Sequence, residues 1–320
     1  MYPIAVARGV TAEMNILMLV NPRSGIGEPP LYDYVAELGR RGSEVTVRFM
    51  REDVQLARLL RDVDAYDRVV AVGGDGTISS VAYAMRNTGI PLVPYPSGTA
   101  NLFAHNVGIP QDPYKLAELT AEGIPASLDI GELDHNGGVG FLVMAGAGFD
   151  AALMDRARDL KPLLGEGAYF LAAAQTLLPT VASFVLRLDG RQVMTEGIAV
   201  VLVNLARIQF DLSVTHGSDA QDGMLEVVIV KPHSVAGLLP AIWAALLDRL
   251  GEHAERPGLE IHSAREVEVV SEPRLPIQSD GEIIAQNTPL TARVLPGAAT
   301  VVIPGGSLPV DSFPVSDGRA

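Results

Sequence analysis

The residues best suited to chemistry lie in Gly73-Gly74-Asp75-Gly76-Thr77. Three glycines remove every Cβ that would hold a bulky ligand off the backbone, and the unpaired N–H groups that open a following helix are donors suited to phosphate. A carboxylate in that turn would repel phosphate unless a divalent cation bridged the two, so Asp75 points to a metal-nucleotide or metal-phosphate site. The plainer alternative is a tight strand-to-helix turn in which Asp75 is only a cap. Asn21-Pro22-Arg23-Ser24-Gly25 offers backbone donors, the Ser24 hydroxyl and the Arg23 charge to phosphate oxygens, or else a surface turn with a capping serine. Ser97-Gly98-Thr99-Ala100-Asn101 presents two hydroxyls, a flexible glycine and an amide. Asp280-Gly281-Glu282 reads as a tight turn with two carboxylates, and taken alone also as a solvated acidic hairpin.

Elements that would position these groups follow from periodicity. Val69–Val72 is a short apolar run rich in β-branched residues, and after Thr77 the residues Val81, Ala82 and Met85 share a helical face. Strands at 15–20, 44–49 and 92–95 alternate with helices at 31–41, 54–63, 102–107 and 113–120. This alternation predicts a parallel sheet with helices on both faces and ligands beyond the carboxyl ends of its strands, where all three glycine turns fall. From Ser127 the pattern turns antiparallel, with strands at 127–133, 135–144, 184–188, 192–204, 224–230, 267–271 and 282–286 and a hairpin turn at Asn136-Gly137-Gly138. Helical inserts are expected at 150–158, 166–178 and 234–249. The resulting division is an α/β domain over 14–128, a mainly β domain with helical inserts over 129–294, a closing strand within 295–306 that either domain could receive, and a tail over 307–320.

Composition bounds the partners. The 320 residues suffice for two cores, and a net charge of −14 with lysine only at 115, 161 and 231 opposes general nucleic-acid binding. The absence of cysteine excludes disulfides and thiolate chemistry and is compatible with a cytoplasmic location. No signal peptide is evident before Met14, and the longest apolar stretches fall short of the roughly 20 residues a spanning helix needs.

Gly-Gly-Asp-Gly-Thr at 73–77 resembles the nucleotide-binding signature of the diacylglycerol kinase, sphingosine kinase and NAD kinase superfamily. Asn21-Pro22-Arg23-Ser24-Gly25, Gly98-Thr99-Ala100-Asn101 and Gln278-Ser279-Asp280-Gly281-Glu282 resemble further elements of its lipid-kinase branch. The resemblance implies an NAD kinase-like first domain, ATP as phosphoryl donor, Mg2+ and a lipid alcohol as acceptor. It implies nucleotide binding by Asn21, Pro22, Arg23, Ser24, Gly25, Thr46, Gly73, Gly74, Asp75, Gly76, Thr77, Ser80, Gly98, Thr99 and Asn101. Glu282 takes the role of general base and Asp75 that of ligand to a catalytic Mg2+. Asp129 would orient Glu282 or the substrate hydroxyl, with a buried turn cap as its rival role. Asp222-Gly223-Met224-Leu225 resembles a turn that holds a structural Mg2+ through Asp222, assisted by Asp219, and main-chain carbonyls such as that of Met224; an ordinary β-turn is the alternative. Three places depart from the pattern: Leu102 stands where relatives carry an acidic residue, His105 replaces a common arginine, and Ala206-Arg207-Ile208-Gln209-Phe210 precedes the Asp222 turn where a Gly-rich run is common. A lipid acceptor implies an apolar channel, for which Phe141, Phe149, Leu163, Leu164, Tyr169, Phe170 and Leu171 are candidates beside simple core packing. It also implies transient contact with the inner membrane face. A homodimer stays open, and the competing functions are an NAD kinase and a non-catalytic nucleotide- or lipid-binding regulator.

Overall fold

The computed structural model of the chain describes residues 14–24, 29–51, 53–148, 180–205, 207–208, 212–213, 219–231, 258–306 and 308. The helical inserts expected at 150–158, 166–178 and 234–249 lie outside these residues. So do Gly25, the channel candidates other than Phe141, and all of the 307–320 tail except Leu308.

The first half alternates as expected: β1 (Asn15–Val20), α1 (Pro29–Arg40), β2 (Glu44–Phe49), α2 (Leu56–Leu59), β3 (Arg68–Gly73), α3 (Asp75–Ala84), β4 (Leu92–Pro96), α4 (Leu102–Asn106), α5 (Pro113–Glu122) and β5 (Pro125–Leu133). β2, β1, β3 and β4 pair in that order, all parallel. All of β3 is buried, which is why it reads as an unbroken apolar run instead of an alternating one. The helix expected over 54–63 contracts to α2. Arg48 donates to the Leu59 carbonyl and pairs with Asp62 at 2.6 and 2.7 Å, holding the chain where a longer helix would continue.

The second half supplies β6 (Val139–Phe141), β7 (Met144–Ala147), β8 (Ala182–Leu188), β9 (Arg191–Gly197), β10 (Ala199–Val203), β11 (Arg207–Ile208), β12 (Leu212–Ser213), β13 (Leu225–Val230), β14 (Leu259–Ala264), β15 (Glu266–Glu272), β16 (Pro276–Ser279), β17 (Glu282–Asn287) and β18 (Leu290–Val302). Among the described residues, one sheet runs β2-β1-β3-β4-β18-β15-β8-β9 with β5 and β6 branching from β18, and a second runs β14-β13-β10-β7-β16-β17. The second sheet is antiparallel throughout. It packs on the far half of the first over a core that includes Phe184, Leu186, Val200, Leu202, Val227, Val267, Val269 and Ile277. β15 alternates strictly between exposed and buried residues, the signature of a sheet with one face in a core.

Two strands read as continuous are each divided. The stretch 135–144 becomes β6 and β7, which belong to different sheets, and 192–204 becomes β9 and β10, likewise separated. The closing strand expected within 295–306 begins at Leu290. It pairs with β4 in parallel through Val301 and Leu92, and with β5 in antiparallel fashion on both sides of an irregularity between Leu295 and Ala299. The expected boundaries at 128/129 and 294/295 therefore fall inside β5 and β18, which pair with each other and carry the sheet from one half to the other.

Candidate active site

The three glycine turns meet at the carboxyl end of the parallel strands. The Asn21 amide donates to the Thr77 hydroxyl at 2.8 Å, and its Oδ1 accepts the Arg23 N–H at 3.0 Å. Ser97 donates its N–H to the Gly73 carbonyl at 3.0 Å and its hydroxyl to the Ser24 carbonyl at 3.1 Å. Gly74 and Gly98 touch backbone to backbone: a Cβ built on Gly98 would stand 2.5 Å from the Gly74 Cα. Asn101 adopts the left-handed conformation at φ 50° and closes its turn with two 2.9 Å bonds to the Gly98 N–H and carbonyl.

Asp75 is buried, and its carboxylate accepts the N–H groups of Phe103 at 2.8 Å and Leu102 at 3.0 Å. It thus caps α4 in the neighbouring loop, not the helix it opens. Burial raises its pKa, opposed by these two donors. Leu102, lacking the expected acid, contributes its backbone N–H instead. His105 is exposed.

The outward face of α3 carries Gly76, Ser79 and Tyr83, three and four residues apart, and every one of them meets the second half of the chain. A Cβ on Gly76 would lie 2.5 Å from Glu282 Oε1, so the expected base stands directly over the opening turn of α3. Ser79 donates its hydroxyl to Asp280, whose carboxylate also takes the N–H groups of Leu142 at 2.9 Å, Val143 at 3.1 Å and Met144 at 2.9 Å. Those N–H groups fall in and beside the break between β6 and β7, which is why one continuous strand cannot form there. Burial lifts the Asp280 carboxyl to about 6 despite its donors. Tyr83 packs on Gly138 and Gly140 and donates to Glu132 at 2.8 Å, while Arg293 holds the other Glu132 oxygen at 2.6 and 2.8 Å. Ser79, Tyr83, Glu132, Arg293 and the 142–144 backbone were not singled out from sequence. The spacing of 76, 79 and 83, three and four residues apart, is the one sequence signal that marks this common face.

Other predicted residues fall elsewhere. Asp129 is buried at the sheet crossing, where its oxygens accept the N–H groups of Gly297 and Gly223, both at 2.7 Å. These are the contacts of a turn cap. Asp219 accepts the Gln221 N–H at 3.0 Å and Asp222 the Met224 N–H at 2.8 Å. Repulsion among Asp129, Asp219 and Asp222 adds to burial in raising the pKa values of Asp129 and Asp222. Among the described residues no group of three or more His, Asp or Glu side chains has metal-holding geometry, so a cation at this turn would depend on main-chain carbonyls. Thr46 stands mid-strand on edge strand β2 opposite Leu17, away from the carboxyl end where the turns gather. Ser80 and Thr99 are exposed. Phe141 is fully buried against Gly131 and belongs to the core.

Glycine turns at the carboxyl end of a parallel sheet, faced by a carboxylate from an antiparallel one, form an arrangement suited to phosphoryl transfer. The profile of the diacylglycerol kinase catalytic domain matches residues 15–133, and that of the YegS C-terminal NAD kinase beta sandwich-like domain matches residues 143–303. The chain belongs to this family and is a lipid kinase, a phosphotransferase with an alcohol acceptor. It is 33% identical to a "Probable lipid kinase YegS-like" of Pseudomonas fluorescens over 83% of this chain and 88% of the relative. Identity to a "Diacylglycerol kinase" of Mycobacterium tuberculosis is 28% over 90% of this chain and 95% of that one. With an uncharacterized Synechocystis protein it shares 29% identity over 54% of the latter's length. The crystal structure of a diacylglycerol kinase from Bacillus anthracis superimposes with a TM-score of 0.69 at 22% identity, covering 92% of this chain and 98% of that chain; this likeness concerns the fold. Among the described residues no helix is long and apolar enough to cross a membrane.

Proposed function

We propose that the protein transfers the γ-phosphoryl group of ATP to the hydroxyl of diacylglycerol or a closely related lipid alcohol. The observation that carries this reading is the seat of Glu282 over Gly76, which brings a proton-accepting carboxylate to the helix opening where phosphate would bind. The name of the Mycobacterium tuberculosis relative supports diacylglycerol within the lipid-kinase class. Phosphoryl transfer needs neutralised phosphate oxygens and an aligned nucleophile more than covalent help. Backbone donors of Asn21–Ser24, Gly73–Thr77 and Ser97–Asn101 hold the triphosphate, and the contact between Gly74 and Gly98 leaves no side chain between those loops and a ligand. Glu282 then accepts the proton of the attacking hydroxyl.

The donor set suits Mg2+: Asp75 is a hard oxygen ligand, and each of its oxygens keeps a second lone pair beyond the N–H bond it accepts. When bound, Mg2+ supplies charge neutralisation to the phosphates. Asp219 and Asp222, with the Met224 carbonyl, would hold a structural Mg2+ that relieves the repulsion around Asp129. The lipid acceptor brings the protein transiently to the inner membrane face.

Labelled ATP with Mg2+, offered to diacylglycerol, a sphingoid base, phosphatidylglycerol and NAD in parallel, tests the reading. Label should pass to diacylglycerol; transfer to NAD alone, or to no acceptor, would overturn it. In Glu282→Gln the rate should fall on the order of 10²-fold or more with Mg-ATP binding retained. Full activity in that variant would remove Glu282 from the mechanism.

A further inference from the structure

We infer that Asp280 is a positioning residue for Glu282, clamped so that the base is held at the junction of the two halves. The inference rests on the proposed role of Glu282 but draws on different contacts. Asp280 and Gly281 form a two-residue hairpin turn in which Ser279 pairs with Glu282, and both turn residues are left-handed, at φ 44° and 82°. That is the geometry Asp-Gly favours, so the turn alone accounts for the residue types. It does not account for where the Asp280 carboxylate goes. The side chain folds back into the junction and collects four donors: the Ser79 hydroxyl from α3, and the consecutive N–H groups of Leu142, Val143 and Met144. The Asp280 N–H in turn donates to the Met144 carbonyl at 2.8 Å. The Leu142 N–H also reaches Ser79 Oγ at 3.3 Å, so helix, loop and carboxylate form one closed set.

Glu282 itself is exposed and opens edge strand β17, with no strand beyond it among the described residues. Its position over Gly76 is therefore set from two residues upstream. A carboxylate held by three successive N–H groups resists displacement, because releasing it would strand charge and donors together in a partly buried site. A base misplaced by an ångström loses much of its rate advantage, so the clamp should act on turnover and not on nucleotide affinity.

Asp280→Asn suits the test because Asn-Gly serves a turn of this type as well as Asp-Gly while removing the charge and one acceptor oxygen. With Mg-ATP and diacylglycerol vesicles, kcat should fall by about 10²-fold while KM for Mg-ATP stays within about twofold. Ser79→Ala, which loses one of the four bonds, should cost about 3- to 10-fold in kcat. In a Glu282→Gln background Asp280→Asn should add no further loss, since it acts through the missing base. An equal loss in both backgrounds would overturn the assignment. Hydrogen exchange of the 139–147 and 276–287 segments supplies a readout independent of activity. Exchange should accelerate in both segments of Asp280→Asn, and unchanged exchange would overturn the clamp. A wild-type chain that labels no lipid would refute the proposed function, and the exchange experiment would still decide the clamp.

Discussion

The two turns that meet at the site look alike in sequence and use glycine for opposite reasons. In Gly73–Thr77 none of the glycines has a positive φ, and what they provide is space: a Cβ on Gly73 would strike the Thr77 side chain, and one on Gly76 would strike Glu282. In Asp280-Gly281 the glycine has nothing within 4 Å of its would-be Cβ, but it needs φ 82°. The first turn is built by close approach, the second by backbone conformation. A turn built by close approach presents bare backbone, whereas a hairpin that delivers one carboxylate needs only to reverse the chain.

Substitutions can break that contrast. Gly98→Ala should have the largest effect, because its methyl meets the Gly74 backbone at 2.5 Å and backbone cannot rotate aside. We expect a loss of about 1–3 kcal/mol in denaturant unfolding, with most of the kinase activity. Wild-type stability would show that the loops are not in contact. Gly281→Ala should cost about 1–2 kcal/mol through backbone strain alone. A loss of activity larger than its loss of stability would mean that this glycine also contacts substrate. Gly76→Ala separates the two readouts. The methyl displaces the mobile end of Glu282, so turnover should fall by about tenfold, while the helical position tolerates alanine and the melting temperature should not drop. A fall in both would place Gly76 among the purely structural glycines.

The last expected effect concerns protons. Asp280 sits at about 6 in the folded chain against an ordinary 3.8, raised by burial, so folding takes up a proton between those values. Its contribution to stability is complete below about pH 4 and is lost as pH rises through about 6, on the order of 1–3 kcal/mol at most. The unfolding free energy of the wild type, measured against Asp280→Asn, should therefore decline across that window. A rise instead would show that four donors outweigh burial. Asp75 is shifted in the same direction for the same first cause, so both turns carry a carboxylate that burial works to neutralise.

Much of the first half was legible because its signals are local. β2 was bounded from sequence at both ends, and β1 and α3 were recognised by apolar runs bordering glycine turns whose residue types leave few alternatives. The second half was legible in class but less so in its divisions. Nothing local in 135–144 says that the chain changes sheets at Leu142, since the cause is a carboxylate 138 residues away. Likewise β14 and β16 went unread. Asp75 shows the same limit within the site: its place in a glycine turn was plain, but its capping of α4 depends on how two loops pack.

By itself the sequence determined which residue types could hold phosphate, that two kinds of sheet follow one another, and which carboxylates were worth following, because glycine spacing and hydrophobic period are local physics. Tertiary structure alone decided that Gly76, Ser79 and Tyr83 form the seam between the halves and that Asp129 binds the sheet crossing. It also decided that Glu282 reaches α3 through a hairpin anchored by Asp280. These outcomes rest on contacts between residues far apart in the chain, and such contacts are selected by the packing of whole sheets.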